Sequence, residues 1–169
     1  GCPVGDRDKD TIDARENNGT IIFGGHGPDI IHGAKQASIV WGDSLITNEA
    51  CTTECKDTIV AAPSSIANFF VGGDGDDTIT GDGVFDFLVG DGVGLNFNDF
   101  AKITGSAVEG KLQFPVNFAT KGSGNDTILG SPDDDNWPDI IIGGEGSDRI
   151  KGAGMLFGPG VKIFPELAF

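Results

Sequence analysis

The chain has 169 residues and is 38% hydrophobic, enough for one domain with a sizeable core. Its 26 acidic residues against 11 basic ones leave a formal charge of −15, which argues against nucleic acid and anionic membrane surfaces as partners and for divalent cations. With 28 glycines it carries a high entropy cost of folding, no apolar stretch reaches the ~18 residues of a membrane span, and it opens at Gly1 without a Met or a signal-like segment, as expected of a processed or excised piece.

In chain order, Asp6, Asp8, Asp10 and Ile12 read as a degenerate first repeat. Residues 15–23 lead into GGHGPDIIH at Gly24, and 33–41 follow in register. An insertion is expected at about 42–51, then a weaker nine-residue unit, TTECKDTIV, at 52–60. Residues 63–71, GGDGDDTIT at Gly72 and 81–89 continue without a gap, and GDGVGLNFN at 90–98 reads as one more weak unit. A second insertion at 99–120 separates these from KGSGNDTIL at Lys121, from 134–142 and from GGEGSDRIK at Gly143. From Gly152 to Phe169 the acidic loops stop and the chain turns apolar, as a C-terminal cap over the open end of a stack would require.

The units at Gly24, Gly72 and Gly143 share the template Gly-Gly-x-Gly-x-Asp-x-Ile-x. The glycines allow a tight turn that aims carbonyls inward, the Asp adds a carboxylate to the same point, and the Ile at position eight points into a core. This pattern resembles the RTX nonapeptide family. The resemblance implies an all-β, right-handed parallel β-roll that folds on calcium, one domain over 1–169, with successive nonapeptides alternating between two sheets. The position-eight residues of the flanking units, Ile22, Val40, Phe70, Leu88 and Ile141, are all apolar, as such a roll needs.

A glycine loop with one Asp supplies about half the six to eight oxygens calcium takes, so the rest must come from the loop one turn away. The expected ligand loops are Gly24, Gly25, Gly27 and Asp29; Gly72, Gly73, Asp74, Gly75 and Asp77; Gly90 and Asp91; Gly124 and Asp126; and Gly143, Gly144, Gly146 and Asp148. The expected pairs are Asp77 with Asp91, Asp126 with Asp148, and Asp29 with Asp43. On the opposite edge Asp82 and Asp86 are the candidates, whereas GAKQAS at 33–38 and PSSIAN at 63–68 lack carboxylates.

Positions seven and nine face out of the roll. On the sheet of the three matching repeats they are mostly polar, with Thr78, Thr80, Thr127, Arg149, Lys151, Asn96 and Asn98 among them. On the other sheet they are Ile21, Phe23, Ile39, Trp41, Phe69, Val71, Phe87, Val89, Ile140 and Ile142. A stripe that large has to be covered, either by the 99–120 insertion and the tail or by a protein partner or second copy. Cys51 and Cys55 suggest a small disulfide-closed loop, with Cys2 left over. His26 and His32 read as surface residues, Trp137 as packing over the roll, and Asn18 and Asn125 as sequon asparagines. No nucleophile elbow, phosphate loop or zinc-helix signature occurs.

The reading that follows is a non-enzymatic, calcium-binding structural and docking module of a secreted or lumenal assembly. The alternatives are the secretion and folding domain of an RTX-like hydrolase or epimerase without its catalytic part, and a calcium-dependent adhesin or glycan-binding module.

Overall fold

The computed structural model describes residues 9–43, 55–93, 111–113, 120–121, 124–131, 137–152, 154–158 and 166–168. In chain order the strands are β1 (Thr11–Asp13), β2 (Gly19–Gly25), β3 (Ile30–His32), β4 (Ala37–Asp43), β5 (Thr58–Val60), β6 (Ser65–Gly73), β7 (Thr78–Thr80) and β8 (Gly83–Val93). They continue with β9 (Lys111–Gln113), β10 (Thr120–Lys121), β11 (Thr127–Leu129), β12 (Asp139–Ile142), β13 (Arg149–Lys151), β14 (Gly154–Phe157) and β15 (Glu166–Ala168). Among the described residues there is no helix.

Two parallel sheets carry the fold. One has the order β1-β3-β5-β7-β11-β13 and the other β14-β12-β8-β6-β4-β2, so consecutive strands of the repeats alternate between sheets. Strands of the first sheet span three residues because a glycine loop ends at the template Asp and the chain turns again after position nine. The register stacks Ile12, Ile31, Ile59, Ile79, Ile128 and Ile150 in one inward column. Ile22, Val40, Phe70, Leu88 and Ile141 form the facing column, and the two interlock as a single core. Full burial of such side chains stabilises by about 1.5–3 kcal/mol each. Ile12 and Ile150, in the end strands, are only partly buried.

Two expectations change. Strand β11 pairs directly with β7, Ile128 beside Ile79, so residues 90–98 do not form a strand of their own in that sheet. Gly90 and Asp91 instead belong to the long strand β8, which runs to Val93. Asn96 and Asn98 lie outside the described residues. Likewise β4 extends to Asp43, so the first insertion starts after that residue and not at 42.

The second correction concerns the apolar face. Trp41, Val71, Phe87, Val89 and Ile142 form a buried cluster with Phe69, Phe85 and Ile140 packed on it. Val71 and Val89 are 0% exposed although they point away from the roll, so chain lies over this part of the face. Within the 99–120 insertion and the tail, β9 pairs antiparallel with β15, and β10 pairs antiparallel with the end of β8. β14 adds one parallel strand beyond β12. What stays open is the β2–β4 end, where Ile21, Phe23 and Ile39 are 65%, 47% and 39% exposed. The rings of Phe23, Trp41, Phe69 and Phe87 form a ladder across four strands, with centroids 5.1–5.6 Å apart. Trp137 is exposed and does not pack over the roll as its position before Pro138 suggested.

Candidate metal centre

Five connections run from the second sheet to the first along one edge, leaving at Gly24, Gly42, Gly72, Gly90 and Gly143 and entering strands at Asp29, Asp57, Asp77, Asp126 and Asp148. In the three template loops, positions two and four have φ between 103° and 125°, at Gly25 and Gly27, Gly73 and Gly75, and Gly144 and Gly146. A side chain there would be strained, which fixes the glycine spacing.

The five aspartates form a ladder. The Oδ1 atoms of Asp29, Asp57, Asp77, Asp126 and Asp148 accept the backbone N–H of Asp10, Asp29, Asp57, Asp77 and Asp126, one turn back, at 2.8–3.0 Å. Each Oδ2 is buried without a hydrogen-bond partner. These atoms share their surroundings: a methyl group at Gly42 would strike Asp57 Oδ2 and the Gly72 carbonyl, one at Gly72 would strike Asp77 Oδ2 and the Gly90 carbonyl, and one at Gly90 would strike Asp126 Oδ2 and the Gly143 carbonyl. Carboxylate and carbonyl oxygens from adjacent turns therefore converge with no side chain between them.

An unpaired buried carboxylate resists ionisation. Burial pushes Asp77 up to about 10, Asp57 to about 8, and Asp43, Asp91 and Asp126 to about 7; the backbone hydrogen bond each accepts offsets this in part, and neighbouring carboxylates add to the rise. Asp29 is raised for the same first reason. A bound divalent cation removes that penalty. The donors are all hard oxygens, which suits calcium and not zinc. Among the described residues no three His, Cys, Asp or Glu side chains form a metal cluster, so carbonyls must complete each shell.

The structure sorts the expected pairs by oxygen. Asp77 does meet the loop at Gly90, but through the Gly90 carbonyl, and Asp91 turns the other way, its Oδ2 accepting the N–H of Glu145 beside Gly144. Asp126 and Asp148 are linked by a 3.0 Å bond from the Asp126 N–H to Asp148 Oδ1. Asp29 is linked to Asp57, and Asp43 reaches to Gly73 and accepts the Asp74 N–H at 2.6 Å. Gly124 lies against the Gly75 carbonyl and Gly146 against the Gly124 carbonyl, which keeps these loops in van der Waals register.

Asp57 is absent from the expected ligands. The signal was present, since KDTIV places Asp57 at position six of a unit in register, and β5 sits between β3 and β7 with Ile59 fully buried. Position four of that unit is Cys55 where the others have Gly; it is disulfide-bonded, buried, and its carbonyl abuts Gly75. Its partner lies outside the described residues.

The opposite edge is built differently. Ser38, Asn68, Asp86 and Asp139 stack at position six there. Asp86 Oδ1 accepts from Asn68 Nδ2 at 2.7 Å, and its Oδ2 accepts from Ser131 Oγ at 2.7 Å and from Gly83 N–H at 3.1 Å. Asp139 accepts the N–H groups of Asp86 and Ser131, both at 3.0 Å. The Asp86 carboxylate thus has both oxygens engaged, unlike the five on the first edge. Asp82 is half-buried. His26 and His32 are half-buried, the former in the loop after β2 and the latter between Asp13 and Val60 on the first sheet.

A family model for the RTX calcium-binding nonapeptide repeat, in four copies, matches residues 65–92, 122–136 and 138–154. The match leaves out the unit at Gly24, whose loop nevertheless begins the same row. No curated protein and no solved structure matches the chain. The repeats legible at Gly72, Lys121 and Gly143 are RTX nonapeptides, and calcium is the ion that such repeats bind.

Proposed function

We propose that this chain is a non-enzymatic structural and docking module of a secreted or lumenal assembly, a single right-handed β-roll whose turns are joined by calcium along one edge. The observation that carries this is the row of five buried Asp Oδ2 atoms without hydrogen-bond partners, four of which, those of Asp29, Asp57, Asp77 and Asp126, lie against glycine backbone of their own and the next turn. Right-handedness follows the rule for parallel crossovers. The residues assigned to the ions are Asp29, Asp57, Asp77, Asp126 and Asp148 with the carbonyls of Gly42, Gly72, Gly90 and Gly143. At millimolar calcium and a dissociation constant of ~0.1 mM, each site stabilises by roughly 1.4 kcal/mol, against ~5–15 kcal/mol for a whole domain. Disulfide-bonded Cys55 supports an oxidising compartment. Among the described residues no helix is long and apolar enough to cross a membrane.

The docking half of the proposal moves to the open end of the apolar face. Trp41, Phe69, Val71, Phe87, Val89, Ile140 and Ile142 are covered in whole or part, whereas Ile21, Phe23 and Ile39 present a contiguous apolar patch. Calcium titration followed by circular dichroism tests the first half, with strand signal expected to rise with calcium and to vanish on chelation. Sedimentation of the calcium-loaded chain against Ile21→Ser/Phe23→Ser tests the second. A strand signal indifferent to calcium would overturn the proposal.

A further inference from the structure

Position two of the calcium-edge loops alternates: Gly25, Asp43, Gly73, Asp91, Gly144. The template requires Gly there, and the three glycines have positive φ. Among the described residues Ser64 is the only non-glycine with positive φ, so Asp43 and Asp91 hold position two in a different backbone conformation, as the last residues but none and two of β4 and β8. Both side chains reach forward along the row. Asp43 lies against Gly73 and accepts the Asp74 N–H; Asp91 lies against Gly144 and accepts the Glu145 N–H. Asp91 is 0% exposed and its Oδ1 has no hydrogen-bond partner, an oxygen buried and unspent at the end of β8.

The intervals between successive loops therefore differ in charge. Between the loops at Gly24 and Gly42 the free carboxylate oxygen is that of Asp29, and between those at Gly72 and Gly90 it is that of Asp77. Between Gly42 and Gly72, Asp57 is joined by Asp43; between Gly90 and Gly143, Asp126 is joined by Asp91. Calcium affinity rises with the number of charged ligands.

Resting on the calcium reading above, we infer that Asp43 and Asp91 turn two of the four inter-loop intervals into high-affinity calcium sites, alternating with weaker sites where the position-six aspartate, Asp29 or Asp77, has no such second aspartate from position two beside it. The row loads in two stages. At low calcium the loops at Gly42 and Gly72, and those at Gly90 and Gly143, are joined first as two pairs; the intervals at Asp29 and Asp77 fill later and complete the stack. Both tight intervals border one of the two insertions expected from the sequence, about 42–51 and 99–120, where closing the chain costs most.

The test is calorimetric titration of the full chain with calcium alone, with circular dichroism in parallel. The wild-type chain is expected to take up two ions about tenfold more tightly than the rest. Asp43→Asn and Asp91→Asn keep the hydrogen-bonding oxygen and remove only charge, and each should weaken one tight site about tenfold. Asp76→Asn is the control: it removes the same charge from a loop residue whose carboxylate bonds Asn125 N–H at 2.8 Å, and should shift the curve less than about twofold. Where folding merges the sites into one step, the calcium midpoint carries the same comparison. Equal sites in the wild-type chain, or Asp43→Asn and Asp91→Asn behaving as Asp76→Asn does, overturns the inference and leaves the calcium reading standing. A wild-type chain that takes up no calcium overturns that reading itself.

Discussion

Removing calcium should reverse the normal effect of pH on this chain. In the ion-free fold Asp126, for example, is held at about 7 by burial, against the ordinary aspartate value of 3.8. A carboxyl whose folded pKa is raised contributes stability that is complete below its unfolded pKa and is lost as pH rises through the folded value. At about pH 8 this one group costs about 4 kcal/mol, the ~1.4 kcal/mol per unit multiplied by the shift, and Asp57 and Asp77 are raised further. Two such groups are comparable with the stability of a whole domain. The ion-free chain should thus be folded or partly folded at about pH 4 to 5 and unfolded at about pH 8. With calcium bound the slope inverts, because protons compete with the ion for the same oxygens and acid releases it. The assay is thermal melting by circular dichroism of resin-stripped protein and of protein in millimolar calcium, at several pH values across that window. Asp77→Asn, which removes a buried charge and keeps the shape, should flatten the ion-free slope. An ion-free melting temperature that rises from pH 5 to pH 8 would refute the argument that buried, unpaired carboxylates destabilise the empty row.

Four further outcomes can be checked. Gly75→Ala and Gly146→Ala, at φ of 121° and 124° and against the carbonyls of Cys55 and Gly124, should each destabilise the calcium-loaded chain by more than ~1 kcal/mol in chemical denaturation. Phe87→Ser, in the covered part of the outer face, should cost about 3–5 kcal/mol, whereas Phe23→Ser at the open end should cost less than ~1 kcal/mol; similar values for the two would mean that the face is not covered as its burial indicates. Ser131→Ala takes a hydroxyl from Asp86 and should lower the melting point by the equivalent of ~1–3 kcal/mol without changing calcium stoichiometry. Arg15→Ala removes the exposed ion pair with Asp13 and should leave the melt within ~0.5 kcal/mol of wild type.

The nine-residue template by itself determined the two-sheet alternation, the inward aliphatic column and the edge on which the carboxylates gather. It could do so because each unit is a local rule: glycines at fixed spacing set the turn, and period-two alternation in the following strand sets which side chain points in. The TTECKDTIV unit shows the same rule at work with its glycines missing, since Asp57 and Ile59 still take positions six and eight. Tertiary structure decided what lies between units. A linear reading of 90–98 as another strand of the first sheet fails because β7 finds its neighbour in β11, a pairing that nothing in GDGVGLNFN reveals. The partner of each carboxylate was equally hidden, because Asp43 and Asp91 reach forward to the next loop while the position-six aspartates reach back, and that direction depends on stacking and not on spacing. Asp86 and Asp77 occupy the same place in their nonapeptides, yet one carboxylate is satisfied by Asn68 and Ser131 and the other keeps a buried oxygen free, because the neighbours that decide it come from 18 and 45 positions away in sequence and meet only when the sheets stack.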